Sequence, residues 1–126
     1  WYRELAQGSE MDLEDHVTAT LEHYGARRIV IAHTVTPGVV LPRFGGRVVL
    51  IEVGIPKLYG GRVACLVIED ERAYALHRGE KLELPSDSSE GLLVYIKKAA
   101  ALDPEPSPLA DLIQQLEARL TPAAGE

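Results

Sequence analysis

Apolar residues recur along this chain with two different periods, and the switches between them mark its elements. Leu13, Val17, Leu21 and Tyr24 are spaced by four, four and three residues, which stacks them on one face of a helix. Ser9 stands where an N-cap side chain would accept from a first-turn amide, with Asp12 close to the same free N–H groups. Gly25 then supplies the left-handed residue that commonly ends a helix. Residues 29–32 (Ile-Val-Ile-Ala) are apolar at every position, the pattern of a strand covered on both faces. Residues 48–53 and 63–69 repeat that run. Residues 73–77 give a shorter strand, with a hairpin turn at 70–72 before it.

Beyond Pro85 the pattern changes. Residues 92–102 fit either helix or strand by apolarity alone, and the serine-rich start with the alanine run favours helix. Three prolines within 104–108 interrupt any regular element. A last helix is expected to open with Ser107 as cap and Pro108 in the first helical position. It would carry a stripe of Leu109, Leu112, Ile113, Leu116 and Leu120, which packs within its own subunit or against another. The elements together predict an α/β domain: one mixed β-sheet of strands 29–33, 47–53, 62–69 and 73–78, with flanking helices.

Composition narrows the function classes. With 126 residues, 46% hydrophobic and 25% charged, the chain matches a globular domain or part of a larger one. A net charge of -6 and scattered Lys and Arg disfavour nucleic acid and anionic membranes as partners. No apolar run nears the ~18–20 residues of a membrane span, so a cytoplasmic protein is expected. Cys65, the one cysteine, lies in an apolar run and reads as an inert buried thiol.

No phosphate-binding loop, dinucleotide fingerprint, nucleophile elbow or His-Glu-x-x-His motif is present. His16 and His23 are about 10 Å apart along a helix, too far for one metal ion. His77 falls in the terminal hairpin and reads as structural. His33 is the leading candidate for chemistry. It stands just past a buried-type strand, where open α/β sheets place ligands, and imidazole suits transition metals. A histidine that merely ends a strand would look the same.

Residues 27–34 (Arg-Arg-Ile-Val-Ile-Ala-His-Thr) resemble the last metal-binding motif of the calcineurin-like metallophosphoesterases, where a strand ends in Gly-His or Ala-His. Residues 44–54 are similar to that family's next strand, with Glu52 in place of the usual Asp, and residues 59–69 resemble its closing strand. Trp1-Tyr-Arg3 resembles a segment that precedes the helix in bacterial Ser/Thr protein phosphatase-like members. The resemblance covers residues 1–85, the C-terminal part of such a domain, and leaves 86–126 as a helical C-terminal extension.

That resemblance implies the C-terminal half of an αββα sandwich and a hydrolase acting on a phosphate ester or phosphoprotein. The cofactor would be a divalent metal pair (Mn, Fe or Zn) whose shared hydroxide attacks phosphorus in line. His33 would be one metal ligand, with the Thr34 or Thr36 hydroxyl, or a loop carbonyl, holding its other ring nitrogen. Arg3, Arg43 and Tyr59 would contact the substrate. The family's Gly-Asp-x-His, Gly-Asp-x-x-Asp and Gly-Asn-His motifs do not occur in the chain. The expectation is therefore a fragment, inactive in isolation, that self-associates through apolar faces left uncovered. The alternative is a noncatalytic α/β module for binding or oligomerisation.

Overall fold

The computed structural model describes residues 2–121; Trp1 of the Trp-Tyr-Arg segment lies outside the described residues. The described residues form a mixed α/β structure of four helices and two three-stranded sheets. Helix α1 (Glu4–Gln7) is short, and α2 (Glu10–Tyr24) is the helix expected from the apolar spacing. The Ser9 hydroxyl accepts from the Asp12 amide at 3.3 Å, and Gly25 closes α2 with φ of 58°. Val17 and Leu21, on the expected face, are buried.

Sheet A comprises β1 (Ile29–Ile31), β2 (Leu41–Arg43) and β3 (Val48–Leu50). Its order is β1-β3-β2, with β1 parallel and β2 antiparallel to β3. Sheet B is an antiparallel meander of β4 (Ala64–Glu69), β5 (Arg72–His77) and β6 (Glu80–Glu83). The single mixed sheet expected from the sequence is thus two sheets. The loop through Gly54, Pro56, Gly60 and Gly61 turns the chain away after β3, and β4 pairs with β5 instead of continuing sheet A.

Alternation along β3 explains how sheet A is covered. Val48 and Leu50 pack with Val17, Leu21 and Phe44 under α2, while Val49 joins a larger core on the opposite face. That larger core joins both sheets to α3 (Glu90–Leu102) and α4 (Ala110–Leu120). Its members include Val40, Val53, Ala75, Tyr95, Ile96, Leu109 and Leu116. The segment beyond 85 therefore shares its core with the sheets. The leucine stripe of α4 packs inside its own chain: Leu109 and Leu116 are buried, and Leu112 and Ile113 lean on the same cluster. Tyr95 adds a buried hydroxyl bond to the Val40 carbonyl at 2.7 Å. Helix α4 starts at Ala110, two residues later than Ser107 and Pro108 suggest; Ser107 Oγ instead accepts from the Leu109 amide in a preceding turn.

Two expectations of burial fail for one reason. Ile29 and Ile31 of β1 lean toward α2, whereas Val30 shares the face of Val49 at the edge of sheet A, lies outside the larger core and is 41% exposed. Cys65 is likewise exposed, because it lies on the outward face of β4 opposite Leu76. An apolar run fixes neither the presence nor the extent of a covering layer. No described helix is long and apolar enough to cross a membrane.

Candidate functional site

The parallel pair β1 and β3 ends in two segments that continue side by side. The Ile51 amide donates to the Ile31 carbonyl at 2.9 Å, and the Thr36 amide to the Glu52 carbonyl at 2.8 Å. His33 stands at this end with φ of 71°, in the left-handed region that L-residues seldom occupy. Phe44, Asp70 and Arg78 also have positive φ, but Asp70 and Arg78 close the hairpin turns of sheet B and Phe44 opens a 3-10 turn. His33 follows a parallel strand, and its exposed imidazole lies beyond the carboxyl ends of β1 and β3, the position α/β sheets use for ligands.

Arg3 reaches this place from the other end of the sequence. Its Nη1 donates to Thr34 Oγ1 at 3.1 Å across a separation of 31 residues, which brings an exposed guanidinium to the residue next to His33. The Thr34 hydroxyl thus accepts from Arg3. Thr36 is also otherwise engaged: its buried hydroxyl donates to the Val39 carbonyl at 2.7 Å and accepts from the Gly38 and Val39 amides.

The remaining candidates divide. Arg43 donates to the Leu5 carbonyl at 2.7 Å and to the Gly8 carbonyl, and its Nε lies 3.4 Å from Glu10. This guanidinium fastens α1 and the start of α2 to the end of β2, so its fork is already filled. It also borders a cavity of about 660 Å³, among Gly8, Leu92, Leu116 and Arg119. Tyr59 is exposed on a 3-10 turn (Lys57–Tyr59) in the loop after β3. Glu52, two residues beyond β3, accepts from the Gly54 amide at 3.2 Å.

Sequence reasoning missed Arg62. Its side chain lies across Gly38 and Gly60, where a Cβ on either would meet it, and Nη1 donates to the Tyr59 carbonyl at 3.3 Å. It therefore ties the 36–38 turn to the Tyr59 turn. Gly54 seats that second turn. Its φ is 82°, and a Cβ there would lie 2.7 Å from the Tyr59 carbonyl oxygen. Gly54→Ala is expected to cost about 1–3 kcal/mol and to displace Tyr59. A urea midpoint equal to that of the native chain would refute this.

Among the described residues there is no group of three or more His, Cys, Asp or Glu side chains that could hold a metal ion.

No family model and no solved structure matches the chain. An uncharacterized protein of Schizosaccharomyces pombe is 32% identical over 88 residues, which cover 67% of this chain and 26% of that protein. The chain thus spans about a quarter of the length of the curated relative it matches.

Proposed function

We propose that this chain contributes part of the active site of a metal-dependent phosphoesterase, with His33 as a single metal ligand and Arg3 as a clamp for the phosphate. The observation that carries the reading is the juxtaposition at the carboxyl end of β1. A histidine is held in a left-handed conformation there, and an arginine is anchored on the very next residue. A guanidinium offers several N–H donors, and Thr34 takes one from Nη1, leaving the outer edge of the fork to meet two phosphate oxygens. Arg43 drops out of the substrate-contacting set because its donors are bonded to the α1 carbonyls and Glu10. Tyr59 stays in it as an exposed phenol on a loop at the same end of sheet A. The other metal ligands and the leaving-group acid come from polypeptide outside these 126 residues, and the substrate is a phosphate ester or phosphoprotein.

Hydrolysis of p-nitrophenyl phosphate with and without Mn²⁺ tests this reading. The 126 residues alone should be inactive, and the polypeptide extended at its N-terminus as its gene encodes it should turn over only with metal. Arg3→Ala in the extended form should lose about tenfold or more in kcat/KM, the worth of a charge-assisted contact to phosphate. Activity of the 126 residues that survives His33→Ala would sink the assignment.

A further inference from the structure

The cavity beside Arg43, at about 660 Å³, is of the size that takes small molecules. Its walls come from α1, the start of α2, β2, α3 and α4. Pro42, Leu92 and Leu116 form a buried floor, with Leu41 and Leu112 half-buried beside them. Leu112, Gln115, Leu116 and Arg119 follow at the i, i+3, i+4 and i+7 spacing of one helix face. Helix α4 thus lays two leucines on the floor and sets two exposed polar side chains at the rim.

That rim is rich in free donors. The exposed side chains of Gln7, Gln115 and Arg119 are bonded to no described residue. Ser9 and Ser88 each accept a backbone N–H, from Asp12 and Gly45, which leaves both hydroxyl protons free to donate. Two other charged groups line the cavity, and they cancel. Glu10 accepts from the Phe44 amide at 2.9 Å and lies 3.4 Å from Arg43 Nε, while the other Arg43 donors meet the Leu5 and Gly8 carbonyls. Glu117, two residues before Arg119, is held by Lys97 at 2.6 Å. The Glu4 carboxylate lies beside Gly8 and is not part of the lining. Arg119 therefore brings the one uncompensated charge among the described lining residues. We infer that this cavity binds a small organic monoanion, with an aliphatic body on the leucine floor and a carboxylate at Arg119. One free positive charge calls for one negative charge, and the fork of a guanidinium matches a carboxylate. The inference stands on the shape and charge of the cavity and does not rest on the phosphoesterase reading.

Octanoate, 1-octanol and butyrate, titrated into the 126-residue chain, are the probes. Calorimetry reads affinity, and leucine methyl NMR shifts read the place of binding. Octanoate should saturate with a Kd below about 1 mM and shift the methyls of Leu92, Leu112 and Leu116. Octanol keeps the tail without the charge and should bind about tenfold weaker, the worth of a charge-assisted contact. Butyrate keeps the charge on a shorter tail and should also lose about tenfold or more. Arg119→Gln, at an exposed position, should bring octanoate down to the affinity of octanol and leave octanol unchanged. The inference is overturned by equal affinity of the native chain for octanoate and octanol, or by octanoate binding that Arg119→Gln does not weaken. It is equally overturned by shifts confined to methyls away from the cavity, or by no saturation at about 1 mM.

Discussion

Asp103→Ala is expected to destabilise the chain by about 3–5 kcal/mol, a large part of the total stability of a domain this size. The Asp103 side chain is 1% exposed and collects three donors: Arg78 Nε at 2.7 Å, His77 Nε2 at 3.0 Å and Ser107 Oγ at 2.9 Å. His77 is equally buried, and its ring keeps an N–H toward the carboxylate in either charge state if Nε2 carries the proton. Removal of the carboxylate would leave the Arg78 charge and the His77 donor facing an apolar hole, and half-broken buried pairs are far costlier than absent ones. The cluster also joins the loop after α3 to the turn between β5 and β6, so its loss should loosen α4 from sheet B. Asp103→Asn keeps one acceptor and should fall between the native chain and the Ala variant. Urea unfolding at pH 7 reads all three; an Ala variant within about 1 kcal/mol of native would show that the cluster contributes little.

The same carboxylate sets an acid limit. Burial opposes its charged form, but the bonds from Arg78, His77 and Ser107 outweigh that and hold its pKa below the usual carboxylate range. A depressed folded-state pKa means stability that is complete above the unfolded value, about 3.9, and is lost as pH falls through the folded value. The native and Asp103→Ala stabilities should therefore converge only below about pH 4. A difference that stayed constant from pH 7 to pH 3 would contradict this.

The Asp103 cluster marks a boundary of what the sequence discloses. Asp103 and His77 are separated by 26 residues, and no local period links them. The Arg3–Thr34 bond is hidden in the same way. Features whose cause lies within a few residues were legible: the Ser9 cap, the Gly25 stop, the hairpin turn expected at 70–72 and the α4 stripe all follow from local chemistry. Strand β2 was not, because it contains Pro42, and β6 was not, because Glu-Lys-Leu-Glu lacks strand character. Division into two sheets depends on which strands find one another, and apolar runs do not encode that choice. His33 was legible by its place after a strand. Its backbone conformation was not, since no sequence pattern asks a histidine to take φ of 71°.

That conformation gives the proposed role of His33 a test of its own. His33→Ala and His33→Gly both delete the imidazole, so any contact the ring makes is lost equally from each. On the proposed phosphoesterase reading, both variants of the extended polypeptide should lose about a hundredfold or more in metal-dependent turnover, since even residues behind a metal ligand are worth 10–100-fold. Their stabilities should differ. Alanine inherits the left-handed backbone and glycine adopts it freely, so the Gly variant should be more stable than the Ala variant by about 1 kcal/mol. Turnover that survives in both would end the metal-ligand assignment, and equal stability would show that the backbone relaxes once the ring is gone. The physical point lies in the combination. Histidine tolerates this region better than most residues but not as well as glycine, and the turn itself would be better served by glycine. A residue that costs the fold stability, at the end of a parallel strand beside an anchored arginine, is what a binding role at this position would require.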